Sequence, residues 1–306
     1  MDASEQSDPY RPYLGAEDLA PLLAFGSRAF AQRFPLNANW HPGDFVWELH
    51  ARRDRPQPIR MWDRAGGVTA VAWFTGPAQL LCEVLPDSEN LVPQIVAYAE
   101  NAAGDQAELS IRAFDSDVGR ITALQRLGYR RAAPEGVWFC MDLSAPLPAF
   151  HPPDGFSVRD SVGIDAARRA AAHRDAWNDL SRIGLPDARS AFTTEAYLSL
   201  RAAPVYDPGL DILLQAPDGG LVANCICWED AHSGIGVFEP VGTHAAFRGR
   251  GLARQAILEG CRRLRARGHR WARVGTAHFN APAISAYRSC GFEEYDHTSW
   301  WNRALS

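Results

Sequence analysis

No stretch of this 306-residue chain approaches the roughly 20 consecutive apolar residues that a membrane helix needs, so no part of it is expected to cross or sit on a membrane. A Cys-x-x-Cys pair is also missing. The six cysteines, Cys82, Cys140, Cys225, Cys227, Cys261 and Cys290, sit inside apolar stretches. That predicts buried free thiols in a reducing cytoplasm, with no structural zinc or other metal. Excess positive charge is lacking too. A formal net charge of −5 argues against general binding to nucleic acid or to a membrane surface. Met1–Pro9 is acidic and polar, the opposite of a secretory leader.

What the chain does have is an ordinary globular make-up, 46% hydrophobic and 22% charged. Its length suits two domains of roughly 150 residues each. Pro146, Pro148, Pro152 and Pro153 crowd into Ser144–Gly155, a run that resists regular structure. The expected boundaries are therefore a first domain over 1–145, a linker over 146–155 and a second domain over 156–306. On both sides the elements follow the same order. Each half opens with a short strand, Tyr10–Leu14 or Phe156–Asp160. Near each end a strand (Glu108–Phe114; Trp271–Thr276) precedes a helix (Ser116–Leu127; Ala281–Cys290), stopped by Gly128-Tyr129 or Gly291-Phe292. Glycine just past a helix fits a left-handed cap that a Cβ would disfavour. Gly128 and Gly291 stand 163 positions apart, which sets the repeat offset. The expected class is α/β (α+β): a tandem duplication, each copy a mixed central β-sheet flanked by helices.

The richest stretch is Gly234–Gly268. Ile235–Thr243 suits a strand. After Arg250-Gly251, Leu252, Ala256 and Leu264 lie on one stripe, with Ala253, Ile257 and Cys261 beside it, which predicts an amphipathic helix. Arg265 and Arg267 occupy its last turn, and Gly268 stops it. Between strand and helix sits Arg248-Gly249-Arg250-Gly251. Glycines let consecutive N–H groups turn into one small space, and the helix start adds its own unpaired amides, making a site for a phosphate group. A solvated basic turn is the plainer alternative. The strand before, the helix after and a second motif downstream favour the anion site.

These residues resemble the GCN5-related N-acetyltransferase (GNAT) family. Its coenzyme A loop, usually Q/R-x-x-G-x-G/A, falls here on Ala246-Phe247-Arg248-Gly249-Arg250-Gly251. Both glycines match; alanine stands at the first position, and Arg248 or Arg250 is expected to substitute for the missing long side chain. A second family segment, N-x-x-A-x-x-x-Y-x-x-x-G-F, matches from Asn280 through Ala283 and Tyr287 to Gly291-Phe292. The resemblance covers most of Phe156–Ser306, whereas the first half resembles the family in element order alone. It implies that the strand backbone at Val241, Gly242 and Thr243 pairs with the pantetheine arm of acetyl-coenzyme A. The amides of Gly249, Arg250, Gly251, Leu252, Ala253 and Arg254 would hold its pyrophosphate, Asn280 would contact the pantetheine region, and Tyr287 would stand beside the sulfur. The implied activity is acetyl transfer from acetyl-coenzyme A to a primary amine of a small molecule, by a cytoplasmic monomer or homodimer. Another acyl donor, decarboxylation of a malonyl thioester and non-catalytic binding of an acyl-coenzyme A stay open.

Acyl transfer to an amine needs a neutral nucleophile, a polarised carbonyl and a proton for the departing thiolate. The Tyr287 phenol, with an ordinary pKa of about 10, can donate that proton; a packed aromatic is its other reading. Asn280 reads equally as a cap for the helix that starts at Ala281-Pro282. Glu239, on the strand leading to Val241–Thr243, is the candidate general base, with His244 and His278 as further candidates. Oxyanion stabilisation falls to a backbone N–H near Val241–Thr243. The first copy serves as a control. Under the 163 offset Tyr287 corresponds to Leu124 and Asn280 to Asp117, and the loop Glu83–Glu89 has three acids and no glycine. That copy is expected not to bind coenzyme A and to serve structurally or in forming the acceptor pocket. Tryptophans 40, 47, 62, 73, 138, 177, 228, 300 and 301 are candidates to line that pocket.

Overall fold

Two hydrophobic periods, near two and near four residues, alternate along the chain, and the backbone follows them. The computed structural model describes residues 10–33, 37–51 and 58–305; Met1–Pro9, with its acidic character, lies outside the described residues. In chain order the first elements are β1 (Arg11–Pro12), α1 (Ala16–Gln32), α2 (Pro42–Ala51), β2 (Ile59–Arg64), β3 (Gly67–Gly76), β4 (Gln79–Val84), α3 (Val92–Ala103), β5 (Glu108–Phe114), α4 (Val118–Arg126) and β6 (Arg130–Asp142). Then come β7 (Ser157–Asp160), α5 (Ala166–Ala176), α6 (Thr194–Arg201), β8 (Asp211–Gln215), β9 (Leu221–Asp230), β10 (Ile235–Thr243), α7 (Leu252–Ala266), β11 (Trp271–Ala277), α8 (Ala281–Ser289) and β12 (Glu293–Ala304). Among the described residues no helix is long and apolar enough to cross a membrane.

The chain divides into two compact units, and their limits depart from the boundaries read off the proline-rich run. One gathers the described residues of Met1–His41, Pro56–Glu135 and Asp296–Ser306; the other gathers those of Pro42–Arg55 and Gly136–Tyr295. Residues 146–155 have no regular structure, as the prolines dictate, but they belong to the second unit. There Arg254 donates to Ala149 O and the His151 amide donates to Gln255 Oε1. Pairing explains the altered limits. The end of β12 pairs with β5 of the first unit (Thr298↔Phe114 to Ala304↔Glu108). The end of β6 pairs with β11 of the second (Trp271↔Asp142 to Ala277↔Gly136).

In the first unit the sheet order is β1-β2-β3-β4-β5-β12, antiparallel except for a short parallel β4–β5 pair at Gln79↔Ser110 and Leu80↔Ile111. Helix α1 packs on β3, and α3 packs on β4 and β5. Their buried faces (Leu22, Phe25 and Phe30; Ile95, Val96 and Ala99) close the core.

The second unit repeats the plan in the order β6-β11-β10-β9-β8-β7, with β10–β11 as the parallel pair. Helix α7 shows why it forms here. Leu252, Ala256, Ile257, Cys261 and Leu264 recur at helical spacing and are all at most 1% exposed, buried on β8, β9 and β10. Arg263 and Arg265 in its last turn suit the negative end of its dipole. Truncating Leu264 to alanine removes a fully buried side chain, a change costing about 2–5 kcal/mol. Cys225, Cys227, Cys261 and Cys290 belong to this core as free thiols, while Cys140 is partly exposed. Helix α2, although it comes from the first half of the chain, packs on α6, β9 and β10. His50 Nδ1 meets Ser199 Oγ at 2.7 Å, and Gly43 approaches Trp228 so closely that a Cβ there would lie 2.1 Å from its ring.

Candidate active site

The site begins where β10 leaves β11. Parallel pairing runs only from Ile235↔Trp271 to Val237↔Arg273. On its other side β10 carries a bulge: the register with β9 moves from Phe238↔Cys227 to Val241↔Cys225, so three steps on β10 match two on β9. An extra residue bends the bulged strand and re-aims its side chains. From Glu239 to Thr243 the backbone therefore borders open space, while β11 continues along β6. Gly242 is fixed by close approach, because a Cβ on it would lie 2.3 Å from the ring of Trp177.

Beyond the opening lies the glycine turn. Gly249 and Gly251 have φ of 80° and 75°, in the left-handed region that a Cβ disfavours. Helix α7 starts at Leu252 with no side-chain cap. The Arg248 amide donates to Ala245 O and that of Gln255 to Gly251 O. Between them, the amides of residues 249–254 have no protein acceptor among the described residues. Six donors are thus gathered at the positive end of a helix dipole, where an anionic group is stabilised.

The two arginines of this turn, expected to substitute for the family's long polar side chain, are placed differently. The Arg248 guanidinium donates to four backbone carbonyls. Nε donates to Thr243 O at 3.1 Å, NH2 to Ala176 O and Asn178 O at 2.9 Å each, and NH1 to Asp179 O. Its work is to tie the loop after α5 to the end of β10. Arg250 lies over the Phe247 ring, 5.1 Å from its centroid, and does not line the cavity beside the turn. Arg254 does line it, with Nε donating to Ser289 O at 3.0 Å.

That cavity, about 540 Å³, brings together Val241, Gly242, Thr243, Arg248, Gly249, Gly251, Leu252, Ala253, Arg254, Asn280 and Tyr287. Asn280 caps α8: Oδ1 accepts from the Ala283 amide at 3.3 Å, while Nδ2 donates to Thr276 Oγ1 at 2.9 Å. Both ends of its amide are occupied by the protein, so the capping reading is the one the hydrogen bonds carry.

A second cavity, about 560 Å³, opens on the other side of the same wall, and the two share Trp177, Val241, Asn280, Ala283 and Tyr287. Tyr287 is 6% exposed, and its hydroxyl has no hydrogen-bond partner among the described residues. Burial first, then the neighbouring Cys225 and the Glu239 carboxylate, push its phenol above the ordinary range. Glu239 lines the second cavity only. Four further lining residues escaped the sequence reading as site residues: His173, Arg189, Phe192 and Thr276. Of the tryptophans expected at an acceptor pocket, Trp47 and Trp177 line this second cavity. Trp40, Trp62, Trp73, Trp228 and Trp301 are instead buried core. Neither His244 nor His278 borders either cavity; His244 Nδ1 accepts from the Ala246 amide at 3.1 Å, a local cap.

A parting strand pair, helix-start amides without a protein acceptor among the described residues and a phenol shared by two cavities lie together on a mixed α/β fold, the arrangement that the GNAT resemblance implies. Residues 177–292, which carry both motif segments, match the acetyltransferase (GNAT) family. A curated relative, the mycothiol acetyltransferase of a Nocardioides species, is 28% identical over 270 residues, covering 80% of this chain and 85% of its own. The enzyme of the same name from Nocardiopsis dassonvillei is 30% identical over 175 residues, 53% of this chain and 50% of its own. Among solved structures, a tandem GNAT protein from the clavulanic acid biosynthesis pathway aligns over 97% of this chain and 98% of its own, with a TM-score of 0.62 and 17% identity. It matches in fold, with two GNAT-like domains in tandem.

Proposed function

We propose that this protein transfers an acetyl group from acetyl-coenzyme A to a primary amine of a small molecule, with the first cavity taking the donor and the second the acceptor. The observation that carries this reading is the shared wall. Tyr287 borders both cavities, and Glu239 borders the acceptor side alone. The residues suit the donor. Among the described residues amides 249–254 have no protein acceptor, and a Cβ built on Gly249 or Gly251 would meet nothing within 4 Å, so the turn stands open. Val241, Gly242 and Thr243 would hold the pantetheine arm by their backbone.

When bound, acetyl-coenzyme A supplies the acetyl group already activated as a thioester. Glu239 takes up the proton that the amine must lose before or as its nitrogen attacks. The Tyr287 phenol, kept protonated by its surroundings, gives its proton to the sulfur as the C–S bond breaks. One proton enters at the carboxylate and one leaves at the phenol, so the site resets through solvent. Asn280 ties the start of α8, the helix that carries Tyr287, to Thr276 at the end of β11.

The first unit is proposed to bind no coenzyme A. The name shared by the curated relatives makes mycothiol-related amines the first acceptors to test. The experiment is a thiol-release assay with acetyl-coenzyme A and an amine panel, preceded by calorimetric titration with coenzyme A. Turnover with an amine supports the reading; tight binding without turnover would leave a binding protein, and no binding would remove the donor site.

A further inference from the structure

This inference rests on the acyltransferase proposal and concerns what the second cavity accepts. His173, on α5, is 4% exposed yet borders that cavity. Aromatic rings box it in. It stacks on Trp177 with centroids 4.2 Å apart and planes 23° from parallel, and it meets Phe192 at 4.7 Å and Trp47 at 5.3 Å. Its Nδ1 is sealed from solvent with no hydrogen-bond partner among the described residues. The nitrogen not sealed in this way is Nε2, which is therefore the atom left to meet a bound molecule. Burial, reinforced by Arg169 and Arg174, holds the ring neutral. It can exchange a hydrogen bond with an acceptor but cannot form an ion pair.

The charges of the cavity narrow the choice. Among the described residues that line it, Glu239 is the sole carboxylate and Arg189 the sole guanidinium. One carboxylate answers one ammonium. A second ammonium on the same molecule would face a neutral imidazole and an arginine, so a polyamine is mismatched. Trp47 and Phe192 offer rigid apolar surface for the body of the molecule.

We propose that His173 is a specificity-determining residue of the acceptor site, selecting a monoamine whose body carries a hydroxyl or N–H group that hydrogen-bonds its imidazole. A hydroxyl on a sugar ring and one on an aromatic ring offer the same chemistry, and the test separates these sources.

The measurement is kcat/KM for amine pairs differing in hydroxylation, tyramine against phenethylamine and glucosamine against cyclohexylamine, with spermidine alongside, after calorimetry with coenzyme A. The chain contains no lysine, so thiol release cannot come from acetylation of its own lysines. A site built to hydrogen-bond a substrate hydroxyl rejects the analogue lacking it strongly, so the hydroxylated member of at least one pair is expected to lead by roughly 100-fold or more. His173→Phe keeps a ring in the box and should bring that ratio near unity, with coenzyme A affinity unchanged. His173→Gln restores a hydrogen-bonding group and should recover part of the preference, and it keeps the test alive if the phenylalanine variant misfolds. An equal ratio in wild type and variants, or spermidine as the best acceptor, overturns the proposal. If coenzyme A binds but no hydroxylated monoamine turns over, the acceptor class is wrong and the donor site stands. If coenzyme A does not bind, the acyltransferase reading itself falls.

Discussion

In the first unit Arg120 lays its guanidinium on the carbonyl of Cys82, NH1 to O at 3.0 Å, just past the point where β4 parts from β5. Arg33 covers the next free carbonyl, Val84 O, with Nε at 3.1 Å. Both arginines are held by acids: Arg33 by Glu83 at 2.7 Å and by Glu89, Arg120 by Glu89 at 4.0 Å. Arg120 stands 163 positions before Ala283, the small residue bordering both cavities of the second unit, and Asp117 caps α4 as Asn280 caps α8. The opening that the second unit keeps clear is, in the first, filled by the protein's own side chains.

Coenzyme A should therefore bind with a stoichiometry of one per chain. Isothermal titration with coenzyme A measures this directly, and two equivalents of similar affinity would show that the arginine-filled opening of the first unit is no barrier.

Gly249→Glu should weaken coenzyme A binding by roughly 100-fold or more. A left-handed φ costs a residue with a Cβ about 1–2 kcal/mol, and a carboxylate then faces the diphosphate, at about 1.4 kcal/mol per tenfold in Kd. Gly249→Ala should show only the backbone part. Equal effects of the two variants would mean that no anion is held at this turn.

Tyr287→Phe should lower kcat by about 10²–10⁴-fold, the usual range for a general acid, and leave the KM for acetyl-coenzyme A within a few-fold. The pH profile carries the sign. The acid is active while protonated, and its pKa is raised, so this group should produce no loss of kcat between pH 7 and 10. A falling alkaline limb that disappears in the phenylalanine variant would contradict the raised phenol.

His173 makes a stability prediction. Its imidazole is held below the ordinary value of 6.5 in the folded chain, so below about pH 6.5 the unfolded chain binds a proton that the native state refuses. Stability should be fully present above that pH and fall as pH drops through it, by at most about 1.4 kcal/mol per pH unit. Melting of the second unit from pH 7.5 to 5 should show this slope in wild type and a shallower one in His173→Phe. Identical slopes would place the proton elsewhere.

The turn proposed to hold the donor was legible as a structure because its signals are local. Left-handed glycines, an amphipathic stripe, and a cap three residues before the amide it serves all lie within short windows. Even the 163-residue offset survives down to which amide each cap accepts. The acceptor half was not legible. Trp47 reaches the cavity on α2, more than a hundred residues before Glu239, and no local pattern joins them. His173 looked like an ordinary polar position on a weakly amphipathic helix, since what distinguishes it is the set of rings around it. Arg248 shows the opposite case: a charge beside a glycine turn suggests a ligand in sequence, and the carbonyls after α5 that its guanidinium also meets lie some seventy residues away.

The exchange of segments described for β6, β12 and α2 bears on how such a protein can change. Each unit is completed by stretches of chain encoded in the other repeat, so cutting the gene at the proline run would leave both fragments with an unfinished sheet. The same exchange separates two functions in inheritance. Substitutions within residues 42–51 can reshape the wall of the second cavity through Trp47 without touching the glycine turn, so under the proposed function choice of amine and grip on the donor are free to drift apart.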